Sequence, residues 1–175
     1  MRINLSEIIS TDFKKLSLTS DIESDAYVFQ GDAYPYLKKP PVPLTIANEG
    51  SSRVHITGHG NVTVDIPCGR CLTSVPTEID FQIDELIDFE KIHAGSASDI
   101  LDAPYIDENL LDTEVLIGNA LLMRFPGKVL CRDDCKGLCP KCGANLNLTT
   151  CSCDTFVPDP RMAAIQDIFN QHKEV

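Results

Sequence analysis

Six of the chain's eight cysteines lie between Cys131 and Cys153, in Cys131-Arg132-Asp133-Asp134-Cys135-Lys136-Gly137-Leu138-Cys139-Pro140-Lys141-Cys142-Gly143 and then Cys151-Ser152-Cys153. Zinc takes four soft ligands in a tetrahedron, and thiolates at this density suit it. Cys139-Pro140-Lys141-Cys142-Gly143 has the form of a zinc knuckle. Its two thiolates stand two residues apart, and the glycine after the second lets the backbone fold tightly. Either Cys151 with Cys153 or Cys131 with Cys135 can supply the second pair, so six candidates compete for four places in one site. The former would close across Gly143–Thr150, a loop long enough for a small hairpin. Four thiolates leave no position for water, so the expected zinc is structural, which argues against a zinc hydrolase.

Cys68-Gly69-Arg70-Cys71 is a second C-x-x-C, and three readings stay open for it. It is a tight turn between strands, half of a metal site completed by cysteines from the later module, or a thiol redox pair. A thioredoxin-type pair sits at a helix N-terminus that lowers the thiol pKa. Here the flanks are β-prone, with Pro67 before and Pro76 after, which favours the turn.

Other constellations are weaker. His55 and His59 lack a third ligand in phase and read as solvated side chains. Gly58-His59-Gly60-Asn61 has neither the G-x-G-x-x-G pattern nor a following Lys-Ser/Thr, so it is no phosphate loop. Asp84, Glu85, Asp88 and Glu90 read as a solvated acidic face. No Ser-His-Asp or kinase signature is present, and the expectation is a protein that is not an enzyme.

The elements that must position the cysteines are strands first. Tyr27–Phe29 and Val42–Ile46 are short β-prone runs. Val54–Thr57 and Val62–Ile66 alternate with period two around Gly58–Asn61, which reads as a hairpin, and Ile79–Asp84 alternates again. Short connections make consecutive strands antiparallel. Ile92–Asp99 reads as a surface loop. Asn109–Met123 is predicted to be a helix lying across the sheet, with Leu111, Val115, Leu116, Ala120 and Leu122 on its apolar face and Pro126 stopping it. A second helix is predicted from Asp159-Pro160-Arg161 through Met162, Ile165, Ile168 and Phe169. The fold class is therefore α+β. An antiparallel β-meander or partial barrel covered by a helix occupies residues 1–126. A cysteine-rich zinc-knuckle module with a C-terminal helix occupies 127–175.

At 175 residues, with 43% hydrophobic and 23% charged residues, the chain is an ordinary globular one and can bury a single core. The net charge of −11 excludes gripping nucleic acid by bulk charge. A local cluster of bases, Arg124, Lys128, Arg132, Lys136 and Lys141, stands out in so acidic a chain as a contact for RNA or a partner, or as a rim that neutralises the thiolate site. No apolar run approaches the ~20 residues that span a bilayer, and Met1–Glu7 has no apolar signal core. A soluble, cytoplasmic protein with reduced thiols is expected.

In combination these motifs resemble the YceD family of bacterial and plastid proteins, named for large ribosomal RNA subunit accumulation. The likeness rests on Cys68-Gly69-Arg70-Cys71-Leu72 after a β-run, an apolar helix ending before a proline, and Cys135–Asn147 with its trailing Cys151 and Cys153. Asp159-Pro160-Arg161 before a final helix completes it. The resemblance implies a non-enzymatic role in accumulation of 23S ribosomal RNA and in large-subunit assembly. With the net charge of −11, the expected partner is a ribosomal protein or a large-subunit precursor, with ribosomal RNA met indirectly or through the basic cluster, and neither a membrane nor a small-molecule substrate is expected. A protein that uses Cys68 and Cys71 for redox chemistry or zinc sensing is the alternative.

Overall fold

The computed structural model describes residues 1–93 and 103–153. Most of the expected 92–99 loop and the whole of the helix expected from Asp159 lie outside the described residues. The rest is mostly antiparallel β-sheet with a few helices. The strands are β1 (Arg2–Asn4), β2 (Lys15–Ser20), β3 (Ala26–Phe29), β4 (Asp32–Lys38), β5 (Val42–Gly50), β6 (Arg53–Pro67), β7 (Ser74–Asp88), β8 (Ile106–Asp107) and β9 (Leu110–Asp112). The helices are α1 (Ser6–Ile9), α2 (Phe89–His93) and α3 (Thr113–Leu122).

The larger sheet runs β2-β5-β6-β4-β3, with β7 also paired to β6. Strands β5, β6 and β7 follow one another as a meander, whereas β2 and β4 reach β5 and β6 across intervening chain. Strand β6 is the spine. It pairs with β7 over its full 15 residues, while β5 takes its first half and β4 two residues near its end. β1, β9 and β8 form a separate three-stranded sheet.

The expected hairpin at Gly58–Asn61 is not there: the chain runs straight through it as one strand. The glycines serve close approach instead of turning. A Cβ on Gly58 would lie 2.7 Å from Leu44 Cδ2 and 2.9 Å from the Pro43 carbonyl oxygen, and one on Gly60 would lie 2.8 Å from Phe81 Cζ. The turn falls earlier, at Ser51 and Ser52, with φ of +55° and +54°, the left-handed pair that a two-residue hairpin loop requires.

Alternation along β5, β6 and β7 sends Val42, Leu44, Ile46, Val54, Ile56, Val62, Val64, Ile79, Phe81, Ile83 and Ile87 into the core. Helix α3 closes over it through Leu116, Ile117 and Leu121. The expected helix differs in start and face. Leu110–Asp112 pairs with Arg2–Asn4 as a strand, and Asp112 then caps the helix, its side chain accepting from the N–H groups of Glu114 and Val115. Val115 and Leu122, expected on the buried face, are exposed. Just beyond the helix Phe125 packs among Tyr27, Phe29 and Tyr34, with ring centroids 5.0–5.3 Å apart. The Tyr27 hydroxyl donates to the Gly118 carbonyl, tying the β3–β4 hairpin to the helix. No helix among the described residues is long and apolar enough to cross a membrane.

His55 on β6 clamps its two neighbours, with Nδ1 2.9 Å from Glu49 of β5 and Nε2 2.7 Å from Asp84 of β7. Both nitrogens face carboxylates, and only the doubly protonated ring donates to both. Asp84, then Glu49, raise its pKa above 6.5. A raised folded-state value means stability that is fully present below about pH 6.5 and lost as pH climbs through the folded pKa. NMR titration is expected to place His55 above the ordinary histidine value, and His55→Gln to flatten the stability profile across that window. An unshifted ring resonance contradicts the clamp. Gly58→Ala is expected to lower unfolding free energy by about 1–3 kcal/mol, read by urea denaturation, because Pro43 main chain cannot move aside.

Candidate metal centres

The eight thiols, all unbridged, gather into two groups of four. The first comprises Cys68, Cys71, Cys131 and Cys135. The second comprises Cys139, Cys142, Cys151 and Cys153. Within each, all four sulfurs lie within 4.8 Å of one another. Of the two pairs that could close the knuckle, Cys151 and Cys153 stand with it, and Cys131 and Cys135 instead join the earlier C-x-x-C, the arrangement in which that pair is half of a group completed from the later module.

Cys68–Thr73 is the connection between β6 and β7, closed by Cys68 N–H donating to the Thr73 carbonyl. Cys68 and Cys71 thus sit at the tip of a 15-residue-long hairpin, not at the start of a helix. The Leu72 N–H donates to the Cys68 carbonyl at 3.0 Å, and Leu72 takes φ +59°. In the second group the Gly143 N–H donates to the Cys139 carbonyl at 2.9 Å, and Gly143 takes φ +72°. The two C-x-x-C turns are the same knuckle, one with glycine and one with leucine in the left-handed position. In both, the turn folds two sulfurs toward a common point.

The opposite pairs arrive differently. The segment after α3 is stitched along the hairpin tip by Gly69 N–H donating to the Val129 carbonyl at 2.9 Å. That places the Cys131 sulfur 3.5 Å from Cys71 and the Cys135 sulfur 3.8 Å from Cys68. Cys68, Cys71 and Cys135 are buried and pack with Val75, Leu130 and Leu138. The second group closes locally. The pairing expected over Gly143–Thr150 falls instead around the knuckle itself, with Leu138 bridging Asn145 and Cys139 N–H donating to the Ala144 carbonyl.

These sulfurs fit a metal ion. Thiolates at about 2.3 Å from a tetrahedral zinc stand about 3.8 Å from one another, which matches the 3.5 and 3.8 Å contacts. A disulfide needs about 2.05 Å. Burial opposes ionising Cys68, but N–H groups of Arg70, Cys131 and Cys71 bring it down to about 6. The N–H groups of Cys142 and Lys141 likewise bring Cys139 down to about 6. Loss of solvent around its sulfur and the thiols of Cys71 and Cys135 push Cys131 up to about 12. The Cys142 thiol and desolvation push Cys153 up to about 12. Four thiols this close cannot all ionise without a cation among them.

The five bases have different surroundings. Arg124 lines an open cavity of about 580 Å³ with Pro40, Pro41, His59, Asn61 and Asp80. Lys128 lies against Gly69, Arg132 pairs with Asp134 at 3.5 Å, and Lys136 and Lys141 flank the knuckle cysteines. Arg70 turns inward, its Nη1 donating to the Cys135 carbonyl at 2.9 Å. Sequence reasoning missed Asn147, whose Nδ2 donates to the Cys135 sulfur at 3.3 Å. No motif marks an asparagine as a partner to a thiolate. His55 and His59 share no site, and the acids expected to be solvated include Asp84, which holds His55, and Glu85, which accepts from the Tyr105 hydroxyl.

The profile of the family described as Large ribosomal RNA subunit accumulation protein YceD matches residues 56–169. That span includes the β6–β7 hairpin tip and all eight cysteines. An uncharacterized protein of Mycobacterium tuberculosis is 28% identical over 96 residues, covering 55% of this chain and 46% of its own. One from Mycobacterium leprae is 26% identical over 107 residues, covering 61% and 49%. The chain thus spans about half the length of these curated relatives. No solved structure matches it. With two knuckles held at one end of a β-sheet inside the matched span, the chain belongs to the YceD family.

Proposed function

We propose that the protein is a non-enzymatic, cytoplasmic ribosome-biogenesis factor that promotes accumulation of 23S ribosomal RNA and assembly of the large subunit. The observation that carries this reading is the family match over residues 56–169. In this reading both cysteine groups hold structural zinc. Four thiolate ligands leave no coordination position for water or substrate, so the metal's chemistry is confined to crosslinking chain. The first centre would fasten the 127–138 segment to the hairpin tip, and the second would fold 139–153 on itself.

Charge supports a protein partner over bare RNA. Arg70, Lys128, Arg132, Lys136 and Lys141, less Asp133 and Asp134, give a local charge of +3. Two zinc ions each bound by four thiolates bring about −4 to the same neighbourhood. The bases are thereby largely spent on the centres. What remains is a strongly acidic surface, which attracts a Lys- and Arg-rich partner such as a ribosomal protein, or the protein surface of a precursor particle.

Elemental analysis of the purified chain is expected to give two zinc per chain. Cys68→Ser/Cys71→Ser and Cys139→Ser/Cys142→Ser are each expected to retain one at saturating zinc. Full content in either places the centres wrongly. After chelation, hydrogen exchange is expected to accelerate across 127–153 while β5, β6 and β7 keep their protection. Loss of protection in the strands would remove the two-part organisation.

Cells lacking the protein are expected to show less 23S ribosomal RNA and fewer large subunits on sucrose gradients, and unchanged profiles reject the assignment. Purified protein is expected to bind protein-free RNA weakly with a shallow salt dependence, since each neutralised phosphate adds about 0.9 to the slope and few bases are free. Nanomolar binding at physiological salt would transfer the contact to RNA.

A further inference from the structure

The two cysteine groups are separated by three residues, Lys136-Gly137-Leu138, and the contacts across that gap are specific. Asn147 belongs to the loop between Cys142 and Cys151, both of the second group, yet its side chain faces the first. Its Oδ1 accepts the Lys136 N–H at 2.8 Å. Its Nδ2 donates to the Cys135 sulfur at 3.3 Å and to Asn145 Oδ1 at 2.9 Å. The Asn147 N–H donates to the same Asn145 oxygen at 3.0 Å, which fixes the amide's direction. On the other side stands Arg70, between the first group's Cys68 and Cys71. Its Nη1 holds the Cys135 carbonyl, and its own carbonyl accepts the Leu138 N–H at 3.2 Å, one residue before Cys139. Gly137 passes so close that a Cβ would lie 3.0 Å from that carbonyl oxygen. It takes φ +77°, which only glycine adopts freely.

We propose that Asn147 is a positioning residue for the first metal centre and that, through it, the two centres load metal cooperatively. This rests on the reading that both groups bind metal. A ligand thiolate that accepts an N–H bond is oriented and its charge is spread, and removal of such a partner lowers metal affinity by about 10- to 100-fold. The donor here is delivered by a loop that the second centre folds. Filling the second centre sets the Asn147 amide against Cys135, and filling the first holds the loop in the shape the second needs. Coupling between two binding sites is reciprocal, so the same factor acts in both directions.

Cobalt(II) titration of the full-length protein tests this, because thiolate-bound cobalt has a charge-transfer absorption and chelator competition gives each affinity. The Cys151→Ser/Cys153→Ser variant isolates the first centre, and Cys68→Ser/Cys71→Ser isolates the second. Wild type is expected to take two cobalt ions, each centre binding about 10- to 100-fold more tightly than when isolated. Asn147→Ala is expected to keep two cobalt ions at saturation, to shift the first centre's charge-transfer band and to reduce its affinity to that of the isolated centre. Added to Cys151→Ser/Cys153→Ser, Asn147→Ala is expected to cost nothing further, the non-additivity of a shared path. Unchanged first-centre affinity in Asn147→Ala, or additive losses, overturns the proposal. If Asn147→Ala loses the amide spectrum of Arg53–Asp88, the comparison of wild type with Cys151→Ser/Cys153→Ser decides alone, and equal first-centre affinities overturn the coupling. A wild-type chain with no thiolate–cobalt band fails the metal reading itself, an outcome distinct from loss of coupling.

Discussion

Bringing four sulfurs to one point is the constraint around which the C-terminal part of the described chain is arranged. Cys68 and Cys71 are carried by the tip of a rigid hairpin, whereas Cys131 and Cys135 are carried by chain with no regular structure of its own. Gly69 N–H to the Val129 carbonyl, the Arg70 side chain to the Cys135 carbonyl and Leu138 N–H to the Arg70 carbonyl tie that segment to the hairpin tip, and a small apolar cluster of Val75, Leu130 and Leu138 lies behind them. Against a backbone entropy of about 1–2 kcal/mol per residue ordered these are few contacts, and metal–ligand bonds at the four sulfurs would add to them. The sheet has no such need, since β5, β6 and β7 bury a continuous core of aliphatic side chains.

Where local pattern decided the outcome, the sequence was readable. Period-two alternation located the two halves of β6 and the middle of β7, β-prone composition located the start of β5, and the glycine after Cys142 marked a knuckle whose left-handed turn is present. It failed where a residue's role depends on a neighbour distant in sequence. Gly58 and Gly60 looked like a turn because glycine commonly ends strands. Only the proximity of Leu44, Pro43 and Phe81 reveals that they thin a strand for close packing. The helix was placed too early for the same kind of reason. Leu110–Asp112 has apolar residues at helical spacing, but Arg2–Asn4 offers it a strand partner from more than a hundred residues away. The nearly all-apolar run from Val115 to Leu122 also gives periodicity little to choose between faces.

The division of the cysteines shows both limits at once. Spacing left Cys131 and Cys135 two possible destinations, the knuckle or the earlier C-x-x-C, and only the fold, which lays the segment after α3 along the hairpin tip, decides for the latter. A cue was nonetheless present, because eight thiolates make two complete tetrahedra and six make one with two left over. Leu72 was the obscuring detail. With glycine there, the first C-x-x-C would have looked like the second. Leucine at φ +59°, with 67% of its surface exposed, is a conformation that backbone sterics disfavour. The hydrogen bond to Cys68 and the four-thiol group hold it there.

The same geometry reshapes the electrostatics. Read as sequence, the bases after residue 124 are an unexplained positive cluster on an acidic chain. In three dimensions Lys128, Arg132, Lys136 and Lys141 lie beside thiol groups whose ionisation brings a comparable negative charge, and Arg70 turns its guanidinium onto the backbone of a ligand-bearing loop. Charge that is balanced locally contributes little at distances beyond a Debye length of about 8 Å. The field that reaches an approaching partner is then set by the acids that stud the outer face of β7, Glu78, Asp80 and Asp84 among them, rather than by the basic cluster. Metal uptake would therefore both fix the position of the C-terminal module and offset the positive charge gathered beside the cysteines.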